Sequence, residues 1–125
     1  MKKVLLVLLL ITLTSCQDNE TLSQDQAAQD LQDIFTEIES MVNTISCNNS
    51  EDWTFIGYGS KACGGFVGYI AYPAFIDTQL FIELIEAHKQ AQEDFNQKWQ
   101  IVGTCDWEVP PTDVLCDDGV PKFVY

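Results

Sequence analysis

The residues best able to do chemistry in this chain are five cysteines, at positions 16, 47, 63, 105 and 116, and a single histidine, His88. A cysteine attacks as its thiolate and needs a neighbouring base or cation to form it, whereas two thiols that meet in an oxidising compartment form a disulfide. Cys63 lies inside Gly57-Tyr58-Gly59-Ser60-Lys61-Ala62-Cys63-Gly64-Gly65-Phe66-Val67-Gly68-Tyr69, which holds five of the chain's 7 glycines. Three chemistries compete for this run: a phosphate cradle, an activated thiol, and a bend pinned covalently.

The phosphate cradle fails on residue identity. Gly59 and Gly64 have the separation of a Walker-type loop, but Gly65 and Phe66 stand where Lys and Ser/Thr are required, and Lys61 lies inside the loop. The thiol lacks a base, because His88 falls on the apolar face of a predicted helix. A small envelope hydrolase using Cys63 or His88 is therefore the alternative, not the leading reading. There is no Gly-x-Ser-x-Gly elbow, and no cysteines are spaced Cys-x2-Cys or Cys-x4-Cys for zinc. Asp106, Glu108, Asp113, Asp117 and Asp118 offer oxygen ligands for calcium but lack EF-hand spacing. A carboxylate pair for glycoside hydrolysis has no locatable position among 19 acids. No metal, cofactor or catalytic residue is expected. The pinned bend is left, with Tyr58, Lys61 and Tyr69 as candidate binding residues.

The elements that must position this bend can be read from periodicity. Ser23-Gln24-Asp25-Gln26 has the form of a capping box, and Ala27, Leu31, Ile34, Phe35, Ile38, Met41, Val42 and Ile45 follow at three- and four-residue steps. This predicts a helix from Ser23 to near Ser46. A second helix is expected from an Asp77 or Thr78 cap to Gly103, with Phe81, Leu84, Ile85, His88, Ala91, Phe95 and Trp99 on one face and an Asp94–Lys98 pair at i,i+4. Trp53–Ile56 and Phe66–Tyr72 read as short strands, and Val114–Cys116 with Val120–Tyr125 as a hairpin turning at Asp118-Gly119. Pro121 restricts the last strand to an edge. The aromatics Trp53, Phe55, Tyr58, Phe66, Tyr69, Tyr72 and Phe75 serve as core under one reading and as an interface under another. The expected fold class is α+β: two amphipathic helices packed on a small irregular β layer, disulfide-stabilised.

Residues 1–15 read as an export leader: Lys2 and Lys3, an apolar run from Val4 to Leu13, then small polar residues. The run is about half the roughly 20 residues a membrane span needs. Leu13-Thr14-Ser15-Cys16 resembles the lipobox of bacterial lipoproteins, in which the cysteine is lipidated and opens the mature chain. Residues 16–22 then form a polar tether, and 23–125 one domain. Asp18 and Glu20 loosely resemble the surface-export signal of Bacteroidota lipoproteins, which leaves the periplasmic and surface faces of the outer membrane both open. Lipidation of Cys16 leaves Cys47, Cys63, Cys105 and Cys116 to pair. Four cysteines allow three connectivities; the local pairs 47–63 and 105–116 are preferred, each flanking one loop.

The full chain carries a formal charge of −13, and loss of Lys2 and Lys3 with the leader makes it more negative. Such a field repels phosphate backbones and excludes nucleic acid as a partner. As a recognition signal it favours cations or basic proteins; the competing and preferred reading is that it only keeps a tethered protein soluble. The expected partners are the membrane, through the lipid, and an envelope protein.

Gly59-Ser60-Lys61-Ala62-Cys63-Gly64-Gly65, then Gly68-Tyr69-Ile70-Ala71-Tyr72, a helix, Asn96-x-Lys98-Trp99 and two late cysteines together resemble a group of small envelope lipoproteins from Bacteroidota and other bacteria. The likeness spans about residues 47–125. It departs at Phe66, where that pattern has proline. The resemblance implies a disulfide-bearing envelope domain and adds no catalytic residue.

Overall fold

Ser23 begins the first helix from extended backbone, its Oγ accepting the Gln26 N–H at 3.2 Å. Only half of the capping box forms, because the Gln26 amide donates forward to Asp30 Oδ1 at 3.0 Å instead of back to the cap. The computed structural model describes residues 22–125. The expected leader, Cys16 and the tether up to residue 21 lie outside the described residues.

Helix α1 spans Gln24–Ser40 and stops short of the expected end near Ser46. Beyond it the chain continues in tighter turns, with the Ile45 N–H donating to the Val42 carbonyl. Cys47 then bonds backbone to backbone with Gly119 at 2.9 Å. After a single 3-10 turn at Ser50–Asp52, β1 (Trp53–Tyr58) pairs antiparallel with β2 (Gly68–Pro73), placing Ile56 opposite Ile70 and Gly57 opposite Tyr69.

Helix α2 spans Thr78–Lys98, capped by Asp77 Oδ1, which accepts the Leu80 N–H at 3.1 Å. Its end is set by Gln100, not by Gly103. Gln100 takes a left-handed conformation, φ 50°. Its N–H donates to Gln97 O at 3.3 Å, and the Ile101 N–H donates to Asn96 O at 2.9 Å. These two bonds satisfy the last carbonyls in the Schellman manner, with glutamine where glycine is usual. The Asp94–Lys98 pair does not form. Asp94 accepts from Gln90 at 3.0 Å, and Lys98 Nζ lies 5.1 Å over the Trp99 ring.

Strands β3 (Asp113–Asp117) and β4 (Val120–Val124) make the expected hairpin. Asp118 and Gly119 both have positive φ, 52° and 78°, as a two-residue turn of this hand requires. Pro121 sits opposite Cys116 on a strand with one neighbour, where its missing N–H costs no ladder bond.

The fold is thus α+β, with two helices and two separate two-stranded sheets. Ile38, Val42, Phe81 and Ile85 form a buried cluster between the helices, closed by Ile56, Tyr58, Ile70 and Tyr72 from one face of the β1–β2 ribbon. Trp53, Phe55 and Ala71 on the opposite face pack with Cys47, Val114, Cys116 and Phe123. The β part of the fold consists of two ribbons, with the first in the middle. That position explains why Trp53–Tyr58 and Gly68–Pro73 lack polar alternation: both of their faces are covered.

Since Gln100 holds a backbone conformation that glycine adopts freely, Gln100→Gly should stabilise the domain by about 0.5 kcal/mol. Urea unfolding at neutral pH checks this; a lower midpoint would show that the glutamine side chain, not the turn, is what matters there.

Candidate functional site

The glycine run becomes the loop between β1 and β2, and it is fixed from three sides. Gly59 turns the chain with φ +70°, and a Cβ there would stand 2.5 Å from Gln92 Oε1. That oxygen accepts the Ser60 N–H at 2.8 Å, while Asn96 Nδ2 donates to Ser60 O at the same distance. Gln92 and Asn96 lie one turn apart on α2, so two neutral amides grip both backbone groups of one loop residue. The Lys61 N–H donates to Gly65 O and the Gly64 N–H to Lys61 O, closing a tight turn that carries Cys63.

Cys63 bonds to Cys105, with Cα atoms 5.3 Å apart, and Cys47 bonds to Cys116 at 5.2 Å. This corrects the expected local pairs 47–63 and 105–116. The reason lies in the layers. Cys47 precedes the middle ribbon and meets the C-terminal hairpin that covers it, whereas Cys63 is carried to the other end of the ribbon. The Cys47–Cys116 bridge is part of the core beneath Trp53 and Val114. Both Cys63 and Cys105 are solvent-exposed.

Cys105 belongs to a strap, residues 102–111, that makes no backbone–backbone hydrogen bond within the described residues; these resume with the Thr112 N–H on Val124 O at 2.7 Å. Side chains hold it instead. Lys61 Nζ donates to Asp106 O at 2.9 Å and to Glu108 Oε1 at 3.1 Å, Trp107 lies over Gly65, and Pro111 is buried.

Between loop and strap lies a cleft of 260 Å³, walled by Phe66, Tyr69, Trp107 and Pro110 with Lys61, Asp106 and Glu108 as its charged groups. The Phe66 ring occupies the space a side chain at Gly57 would need, 2.4 Å from an added Cβ. Phe66 meets Tyr69 edge to face, with centroids 5.9 Å apart. Tyr69 meets Phe55, Phe55 meets Phe123, and Phe123 meets Tyr125 in the same manner, so an aromatic row runs from the cleft across the ribbon to the last residue. Trp107 is 78% exposed. A second hollow, 250 Å³, opens between the helices, lined by Ala27, Leu31, Ile34, Ala91, Phe95 and Trp99 where their stripes extend past the ribbon.

Of the three sequence-predicted binding residues, Lys61 and Tyr69 line the cleft and Tyr58 does not. Tyr58 points to the helix face and packs on Phe35 at 4.5 Å between centroids. Burial first, then the carboxylates of Glu39 and Glu108, push its phenol above the usual 10.0, so the hydroxyl stays protonated. Trp107 escaped the sequence reading because it lies in a segment without periodicity. The one local signal was a large apolar side chain between two acids, just after a cysteine and before Pro110-Pro111.

Of the two candidates for nucleophilic chemistry, one is bonded and the other enclosed. Cys63 has no thiol, and His88 is 6% exposed beside Phe35 and Tyr58, with Nδ1 buried and without a partner. Among the described residues no three of His, Cys, Asp and Glu gather as metal ligands. In the acidic tail, Asp117 pairs with Lys122 and Glu108 with Lys61. No helix among the described residues is long and apolar enough to cross a membrane.

Burial holds the His88 imidazole below its ordinary 6.5. The unfolded chain therefore binds this proton at a higher pH than the folded one. Its contribution to stability is complete above 6.5 and is lost as pH falls from there towards the folded value. Urea midpoints at pH 7.5, 6.5 and 5.5 should fall in the native chain, and His88→Phe should flatten that part of the profile; an unchanged slope would place its origin elsewhere.

The disulfides should also reduce in sequence, Cys63–Cys105 before Cys47–Cys116, since both cysteines of the first are exposed whereas Cys47 is buried and Cys116 half-buried. Timed thiol reduction, alkylation and peptide mapping check both order and connectivity. Peptides joining 47 to 63 would refute the pairing described here.

Comparison with protein-family models, with curated proteins and with solved structures finds no match to this chain. Its described residues form a two-disulfide α+β domain with an aromatic cleft between loop and strap.

Proposed function

We propose that this chain is a lipid-anchored protein of the bacterial cell envelope, held at the outer membrane through Cys16, and that it acts without catalysis as a binding module. The observation that carries the binding role is the cleft. A tryptophan 78% exposed, beside Phe66 and Tyr69 and braced by a disulfide and a lysine, is large apolar surface left in water at a fixed place. Exposed aromatics of this kind, preorganised and set among polar groups, are what binding hot spots are made of.

The anchor rests on the residues themselves: two lysines, an apolar run and Leu13-Thr14-Ser15-Cys16. Several acyl chains on one cysteine hold firmly, since each buried CH2 contributes about 0.8 kcal/mol. The likeness to small Bacteroidota envelope lipoproteins points the same way. The hydrolase alternative is disfavoured because Cys63 is bonded and His88 is enclosed. The strong negative charge favours a basic protein over nucleic acid as partner.

Cys16→Ala should abolish labelling by a palmitate analogue and shift the protein to the soluble fraction; membrane retention without label would refute the anchor. For the binding role, the lipidated protein is crosslinked in its own envelope and recovered. Trp107→Ala should remove the specific adducts while leaving far-UV circular dichroism unchanged, and persistence of those adducts would refute the cleft as the binding surface.

A further inference from the structure

Resting on that binding role, we propose that the cleft receives a cationic side chain, arginine or lysine, presented by a basic polypeptide partner. Phe66, Tyr69 and Trp107 line one hollow of 260 Å³, the first two edge to face at 5.9 Å. Aromatic faces attract a cation through their quadrupole, and a cavity formed by several of them suits an organic cation better than a neutral or anionic group. Asp106 and Glu108 add carboxylates at the same place.

Lys61 is the one positive group in the lining, and its charge is already engaged: Nζ donates to Glu108 Oε1 and to the Asp106 carbonyl, with its side chain only 20% exposed. The Asp106 carboxylate accepts no side-chain bond among the described residues, and only one Glu108 oxygen is used. An incoming cation therefore meets net negative charge. The chain as a whole reinforces this, with 6 basic residues against 19 acids, and it would draw a basic partner from a distance before the cleft selects the side chain. A guanidinium has the planar shape to lie on the Trp107 face while its edge donates to a carboxylate.

The test uses the oxidised, detergent-solubilised full chain, with a peptide of alternating glycine and arginine as probe and the glycine–glutamate peptide as control. Binding is read by calorimetry and by the part of the tryptophan emission that is lost in Trp107→Ala, since Trp53 is buried and Trp99 half-buried away from the cleft. Trp107→Ala should weaken the arginine peptide at least about tenfold, and Asp106→Asn about threefold. Asp106→Asn is informative because Lys61 holds the Asp106 backbone carbonyl, so the strap keeps that bond. Glu86→Gln makes the same charge change on an exposed α2 residue outside the cleft and should leave affinity unaltered.

Equal losses in Asp106→Asn and Glu86→Gln, or no loss in Trp107→Ala, would mean that only the general acidic field attracts the peptide and would overturn the proposal. Equal binding of the glutamate peptide would overturn it too. Should the proposal fail while envelope crosslinking stays dependent on Trp107, the binding role stands and the ligand class is wrong. Should Trp107→Ala leave the crosslinks intact as well, both fall.

Discussion

A two-stranded ribbon in water is barely stable alone, and the β1–β2 ribbon is apolar on both faces, so it must be covered twice. One face holds Ile56, Tyr58, Ile70 and Tyr72, which the helices take up around Phe81 and Ile85; the other holds Trp53, Phe55 and Ala71, which require the C-terminal hairpin. Each fully buried Ile or Phe side chain contributes about 1.5–3 kcal/mol. The order of layers follows, and so does the Cys47–Cys116 bridge, which joins the chain just before the ribbon to the hairpin that caps it. Its loop spans 69 residues, a constraint of about 4 kcal/mol in the chain-entropy model.

A chain with so few cations cannot lace its surface with ion pairs, and the helices use amides instead. Gln26, Gln29, Gln79 and Gln90 each donate to an acid four residues on. Gln92 and Asn96 apply the same chemistry to backbone, gripping Ser60. The two ion pairs among the described residues join separate segments: Lys122 fastens β4 to Asp117 of β3, and Lys61 fastens the strap to the loop. The cleft stands at the second of these, on the most lightly bonded stretch of the described chain.

Much of the fold was legible because it is local. The Ser23 and Asp77 caps, the two apolar stripes and the Asp118-Gly119 turn each depend on residues within a few positions of one another. The bend at the glycine run was likewise readable from Gly59 and its neighbours. Three features were not. The end of α2 at Gln100 breaks the preference for glycine at a left-handed position, and Asn96 and Gln97 carbonyls override it. The disulfide pairing depends on which layer covers which, a long-range fact that spacing does not encode. Trp107 joins the site through contacts with Gly65, far away in sequence, and its own neighbourhood has no period to mark it.

The bridges are nested, 63–105 lying within 47–116. A chain that enters an oxidising space N-terminus first exposes Cys47, then Cys63, well before either native partner has arrived. The first bond available is therefore the wrong one, the same local pair that spacing favours. Native pairing waits for residues 105 and 116, or is reached by exchange through mixed disulfides. Since Cys47 ends up sealed under Trp53, an early error there also leaves the middle ribbon without its outer cover. For a chain that matures in such a space, the order in which its thiols become available bears on pairing as much as the final packing does.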